Sequence, residues 1–400
     1  MTENTDVVVI GGGYAGVLAA NRLTQQDDVT VTLINPRPTF VERIRLHQLV
    51  GGSYDAAVDY REVLGESIRQ VVDTVTRIDA AERSVALATG GTVGYDYLIY
   101  AVGSVSDGSH VPGAAEFAYP VASLEAAQRL RSVLDGAPAT AALTVVGAGP
   151  QGIETAAELA ELGRTVTLVC GEVLGPYLHP RGRRSVAKQL AKLGVTVLEG
   201  PDAKVTAVTR DAVQLSGGRE LPSEVTIWTA GFGVPDLAAR SGLSTDALGR
   251  LLTDETLTSV DDVRIVAAGD SAAPSDLPFR MSCQAAVQLG PQAAKTVLSR
   301  IAGEQPAPIN VLFAGQCISL GRRAGIFQLA SKDDTAKGLY LGGSPGAKLK
   351  EFICKGIVWQ VAYEARIPGG LTPAWIRDGK RQQLLQAKRR EILASAEMVA

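Results

Sequence analysis

The chain of 400 residues is too long for one hydrophobic core and is expected to divide into two or three domains. With a formal net charge of −3 it is no polyanion binder, which removes nucleic acid from the expected partners. The four cysteines, Cys170, Cys283, Cys317 and Cys354, include no C-x-x-C pair, so neither a zinc site nor a paired dithiol is indicated and no metal is expected.

The N-terminal "MTENTDVVVIGGG" has no basic region followed by an apolar core, so a signal peptide is not expected. No apolar run reaches the roughly 20 residues that span a bilayer. Free thiols suit a reducing compartment, and the expectation is a cytoplasmic protein that at most touches one membrane face. "DVVVIGGG" predicts a strand ending in glycines, "YAGVLAANRL" a helix and "DVTVTLIN" a second strand. "EVLGESIRQ" reads as a helix, "VDTVTRID", "RSVALAT" and "YDYLIYAVG" as strands, and "VPGAAEFAYP" as a linker. A second strand, glycine turn, helix and strand follow in "LTVVGAGPQGIETAAELAELGRTVTLVC", then strands in "VTVLEG", "KVTAVT", "EVTIWTAG" and "VRIVAAGD". Such alternation predicts an α/β fold of two doubly wound, Rossmann-like dinucleotide-binding domains with parallel sheets.

Gly11, Gly13 and Gly16 form G-x-G-x-x-G between the first strand and first helix. The first glycine permits the tight turn, the second lets a pyrophosphate approach, and the third lets helix and strand pack closely. The helix N-terminus then offers free N–H groups to the phosphates. Gly147, Gly149 and Gly152 repeat the pattern, so two dinucleotides are expected, most economically one flavin and one nicotinamide. The ribose position at the end of the next strand falls on Asn35 in the first unit and on Cys170 in the second. Neither is acidic. Glu172 lies two residues beyond Cys170, with Arg181, Arg183 and Arg184 further on, which leaves NADH and NADPH both open.

In "RMSCQAAVQLGPQAA", Gln284 and Gln288 stand four apart on one face of an otherwise small and apolar helix. Glutamines bonded to loop backbone are one reading. His47 offers either a proton donor near a cofactor or a histidine satisfied by backbone. Arg43 and Arg45 suit a phosphate or a substrate anion, and equally a solvated surface.

These motifs together resemble the two-dinucleotide flavoproteins, and in particular the type II NADH dehydrogenase-like branch of the FAD-dependent pyridine nucleotide-disulfide oxidoreductase superfamily. The resemblance rests on the two cradles, on "YDYLIYAVGS" with Val102 where threonine is usual, and on "VRIVAAGD". It also rests on "CQAAVQLG", an A-Q-x-x-x-Q-x-G pattern with Cys283 in place of alanine, and on "FAGQCISLGRRAG". "NPRPTF…LVGG" fits in spacing but lacks the Pro-Leu-Leu that usually follows the aromatic. The resemblance implies FAD on the first cradle, with Tyr14, Ala15, Asn35, Pro36, Arg43, Gly103, Gly269 and Asp270 beside it, and NAD(P)H on the second. It implies that Gln284 and Gln288 lie at a quinone site next to the flavin ring, and that Glu154 stands between nicotinamide and quinone. "FVERIRLHQLVGG" has no cysteine where disulfide reductases carry their redox pair, so electrons are expected to pass from NAD(P)H through flavin to a quinone-type acceptor without thiols. Other readings are a soluble flavoenzyme of small-molecule biosynthesis acting on a quinone-like or polycyclic intermediate, and a flavin-bound sensor with little turnover.

The implied domains are residues 1–115 and 236–308 for FAD, 116–235 for NAD(P)H, and 309–400 for a small C-terminal α+β region. From Ser331 onward there are 12 Lys or Arg against 7 Asp or Glu. Two stretches there, Lys348 to Arg366 and Lys380 to Leu393, have amphipathic helical spacing. They are expected either to lie on a membrane surface or to dock on the flavin domain or on the partner of a homodimer.

Overall fold

The computed structural model describes residues 4–108, 110–370, 381–388 and 390. Two parallel sheets carry the architecture. In the first, strand Thr5–Ile10 lies between Val29–Asn35 and Tyr97–Tyr100, with Arg69–Val72 and Ile265–Ala267 at the edges. The Val and Ile runs of the central strands Thr5–Ile10 and Val29–Asn35 are buried on both faces, as parallel strands covered by helices require. In the second, Ala142–Val146 lies between Thr165–Val169 and Val225–Trp228, flanked by Thr196–Leu198 and Ala118–Pro120. The fold is α/β with two Rossmann-like units, as the sequence predicts.

Helix Tyr14–Leu23 is buried along its whole length and packs against helix Cys283–Ile301. Gly290 makes the crossing possible, because a Cβ there would stand 2.3 Å from the Ala15 carbonyl oxygen. A third, antiparallel sheet of Gly315–Ser319, Gly325–Ala330 and Ala336–Gly342 is covered by helix Gly343–Arg366.

Two expected elements differ. The segment read as a helix over residues 62–70 is a single turn, Tyr60–Val63, followed by strand Arg69–Val72. The β-branched Val71 and Val72 pair with Ile34 and Asn35 at the sheet edge, so strand pairing overrides helical spacing there. The segment read as a linker holds strand Ala118–Pro120, which completes the second sheet beside Thr226–Trp228.

The C-terminal helix is docked on the protein. Val361 and Cys354 are fully buried, Ile357 and Val358 pack on the core around the first sheet, and Arg22 bonds Glu364 inside the contact. Phe352 and Trp359 face outward, 73% and 58% exposed. The described part of the final stretch, 381–388, is helical and also docks. Arg381 bonds Glu255 at 2.7 Å and stacks over the Phe279 ring at 4.3 Å. Lys380, Ile392 and Leu393 of that stretch lie outside the described residues. No helix among the described residues is long and apolar enough to cross a membrane.

Candidate active site

The first glycine turn is fixed by its neighbours. Gly11 has φ of +104°, and a Cβ there would meet the Ala101 carbonyl oxygen at 2.3 Å. A Cβ on Gly16 would stand 1.8 Å from the Gly11 oxygen, whereas Gly13 faces open space within 4 Å. That open side gives onto a cleft of about 530 Å³ whose lining includes Gly13, Asn35, Pro36, Arg43, Gly103 and Ser104. Asn35 is 7% exposed, and its amide is committed to the loop itself. Its Oδ1 accepts the Gly12 N–H at 2.9 Å and its Nδ2 donates to Arg37 O at 2.9 Å. Tyr60 OH donates to Gly12 O at 2.8 Å from the other side. Asn35 thus shapes the turn that a ribose-binding carboxylate would follow.

Further along the cleft, Arg43 Nη1 donates to Ser104 Oγ at 3.2 Å, and that hydroxyl donates to Asp270 Oδ2 at 2.7 Å. The Ser282 N–H holds the other Asp270 oxygen at 3.1 Å. Burial lowers the Arg43 pKa from its ordinary value, with Asp270 opposing it. Tyr14 packs edge-on to Phe40 at 5.1 Å, and its buried hydroxyl has no hydrogen-bond partner among the described residues. The turn, the open phosphate side, the cation and the orphaned hydroxyl fit an elongated diphosphate cofactor.

The second turn repeats the first. Gly147 has φ of +124°, and its Cβ would meet Thr229 Oγ1 at 2.5 Å. A Cβ on Gly152 would lie 2.0 Å from the Gly147 oxygen, and Gly149 again faces open space. Past the end of strand Thr165–Val169, Glu172 is exposed, its carbonyl accepts the Gly200 N–H at 3.1 Å, and its carboxylate has no hydrogen-bond partner among the described residues. Arg181 and Arg184 are exposed, while Arg183 donates to Leu178 O at 3.4 Å.

Glu154 leaves the second cradle on helix Pro150–Glu161 and is 5% exposed. Its Oε1 accepts the Ser319 N–H at 2.9 Å and stands 3.0 Å from Lys350 Nζ. Its Oε2 faces His47 Nδ1 at 3.5 Å. One carboxylate therefore ties all three parts of the molecule together. Burial pulls the Glu154 carboxyl upward, but Lys350, His47 and the Ser319 N–H together hold it below its ordinary range. Burial depresses His47 to about 4, with Lys350, Arg322 and Arg45 adding to the effect and Glu154 opposing it. The imidazole is neutral at pH 7, and its buried Nε2 has no hydrogen-bond partner among the described residues.

Gln284 and Gln288 clamp backbone. Gln288 Oε1 accepts the Leu312 N–H at 2.9 Å, while its Nε2 donates to Leu312 O at 2.9 Å and Gln284 O at 2.8 Å. With its amide oriented to satisfy both atoms, Gln284 donates to Gly315 O at 3.1 Å and accepts from Ala314 N at 3.0 Å. The pair fastens the entry of the C-terminal sheet to the helix that crosses the first cradle.

The model of the pyridine nucleotide-disulphide oxidoreductase family matches residues 5–295. The chain belongs to this family. An NADH dehydrogenase-like protein of Mycobacterium tuberculosis is 29% identical over 81% of this chain and 87% of its own length. The type II NADH:quinone oxidoreductase Ndh of the same species is 28% identical over 81% and 79%. The structure of NDH2 from Plasmodium falciparum in complex with NADH superposes with a TM-score of 0.76 at 16% identity, covering 91% of this chain and 97% of that one. Both Mycobacterium tuberculosis relatives are NADH dehydrogenase-type proteins, and the chain is similar to them over most of its length.

For a pyridine nucleotide oxidoreductase, the fold gathers most of the expected residues and adds others. Gly11, Gly13, Asn35, Pro36, Arg43 and Gly103 share the first cleft, with Asp270 bonded to Ser104 on its wall. Gly269 has φ of +71°, and its Cβ would stand 3.0 Å from the Ala15 Cβ. Sequence reasoning missed Lys350, Ser319 and Ser104. Lys350 left a trace: it shares a helical stripe with Cys354, Ile357 and Val361, a lysine on an apolar face. Arg45, read as an anion-binding or solvated residue, is instead 1% exposed and held by Glu42 at 3.1 Å and Glu351 at 2.9 Å.

Proposed function

We propose that the protein takes a hydride from NAD(P)H on the Gly147 cradle, passes it through FAD on the Gly11 cradle, and delivers two electrons to a quinone-type acceptor. When bound, the flavin supplies the redox chemistry; the chain supplies orientation and electrostatics. The observation that carries this reading is the position of Glu154, the buried carboxylate that joins the nicotinamide-side helix to His47 and to Lys350 and Ser319 of the C-terminal unit. Held ionised by Lys350, its Oε2 can accept a hydrogen bond from the hydroxyl that forms on the acceptor as it is reduced. Asp270 and Arg43, linked through Ser104, would hold the ribityl hydroxyls and the diphosphate. Gln284 and Gln288 would act by holding residues 312–315 at the edge of the acceptor site. Glu172 would receive the ribose hydroxyls of NADH.

Thiols would take no part. Burial pushes Cys283 and Cys170 up to about 12 and Cys354 up to about 11, so the reactive thiolate is suppressed. The outward Phe352 and Trp359 support a peripheral membrane contact, where a quinone would be met. Anaerobic stopped-flow absorbance with Glu154→Gln tests the reading. Flavin reduction by NADH should persist, while reoxidation by a soluble quinone should slow about a hundredfold. Equal slowing of both halves would remove Glu154 from the acceptor side.

A further inference from the structure

A cavity of about 410 Å³ lies outside both cradles, between the turn after Ser319 and the start of helix Gly343–Arg366. Arg322, Arg323, Lys348 and Lys350 line it against one carboxylate, Glu351. Glu351 is already engaged, by Arg45 at 2.9 Å and by Arg322 at 3.4 Å. Lys350 on the floor is answered from below by Glu154 at 3.0 Å. Arg323 and Lys348 are exposed and have no hydrogen-bond or ion-pair partner among the described residues. The helix that forms one wall has no acidic residue in its first turn and no side-chain cap on Gly342. Ser344, also in the lining, adds a hydroxyl without a partner among the described residues. Like charges gathered in a concave wall repel each other unless an anion enters.

We propose that this cavity binds a phosphate-type oxyanion, either free phosphate or a phosphate ester. Guanidinium forks on Arg322 and Arg323, the Lys348 ammonium and the Ser344 hydroxyl would surround a tetrahedral anion with donors. The volume leaves room for a small organic group on the phosphate. Neither cradle lines it; it meets the Glu154 network only through Ser319 and Lys350, both of which the variant below keeps. Two sources carry this chemistry: a soluble phosphate compound, and the headgroup of an anionic phospholipid reached beside the exposed Phe352 and Leu341.

The test uses the full-length, FAD-loaded protein and an Arg323→Ala/Lys348→Ala double variant. Isothermal titration with inorganic phosphate should give an affinity at least about tenfold weaker in the variant, as loss of two charge-assisted contacts implies. Phosphate held in the cradles is common to both proteins and cancels. In a second arm, vesicles of phosphatidylcholine with and without phosphatidylglycerol are co-sedimented with each protein. A fall of about fivefold confined to phosphatidylglycerol vesicles and the variant assigns a lipid headgroup. A phosphate difference with unchanged sedimentation assigns a soluble ligand. If neither phosphate affinity nor sedimentation differs between the two proteins, the proposal is overturned.

Discussion

The two cradles have the same floor and different walls. In each, the first glycine is forced to positive φ by a close oxygen on the neighbouring strand or its end, the third glycine lies against the first, and the second opens toward the ligand. Around the first, Asn35 and Tyr60 pin the turn from both sides, and Arg37, in the bend after strand Val29–Asn35, bonds Glu125 on helix Leu124–Gly136, with Nη2 to Oε2 at 2.8 Å. That pair drives the Glu125 carboxyl down to about 2. Around the second, Glu172, three residues past the strand, is exposed, and its carboxylate is unengaged among the described residues. The glycines set how closely a diphosphate approaches; the walls decide whether it stays or exchanges. A walled cleft suits a resident flavin and an open one suits a nicotinamide that must leave each turnover.

The largest expected effect comes from adding one methyl group to each floor. Gly11→Ala places a Cβ against backbone at a forbidden φ, a cost above about 3 kcal/mol, and should yield protein without yellow absorbance. Gly147→Ala places its Cβ against Thr229 and the Ala230 nitrogen at an equally unfavourable φ, and should keep FAD while flavin reduction by NADH falls about a hundredfold. Loss of flavin from the second variant and not the first would invert the assignment of the cradles.

The junction between the cradles sharpens the comparison next. Lys350→Met leaves Glu154 buried without its cation, which should cost about 3–5 kcal/mol in urea unfolding. Glu154→Gln in the same background should restore much of it. His47 follows. It holds a proton in the folded protein only below about 4, against about 6.5 when unfolded. Between those values the unfolded chain binds the extra proton, so stability falls as the solution is acidified through that window. The full loss is about 3 kcal/mol, and His47→Gln should remove that part of the slope. An identical pH dependence in both proteins would mean that His47 is not the group that titrates.

What was legible in the sequence follows the range of the interactions. The cradles were readable because a glycine turn is a local requirement, satisfied by residues within one strand and one helix. Asn35 was readable as a position but not as a role, since its partner is Gly12, on the preceding turn. Lys350 meets Glu154 from the far end of the chain, and no periodicity announces such a pair. The glutamine pair shows the limit most clearly. Spacing places both amides on one face, but only the fold shows that residues 312–315 run past that face and use them. The strand at 118–120 was hidden for a related reason: a three-residue edge strand flanked by proline has too little pattern to stand apart from a linker.

The smallest expected effect is at the open wall of the second cradle. Glu172 is exposed, so its bond to a ribose hydroxyl would compete with water and is worth about 1 kcal/mol. Glu172→Ala should therefore raise the KM for NADH about fivefold with little change in kcat, since the contact is present equally in ground and transition states. The same substitution removes the charge that would repel a 2′-phosphate, so the KM for NADPH should fall or stay level. A fall in kcat with KM unchanged would place Glu172 away from the ribose and leave Arg181 and Arg184, both exposed nearby, to set the nucleotide preference.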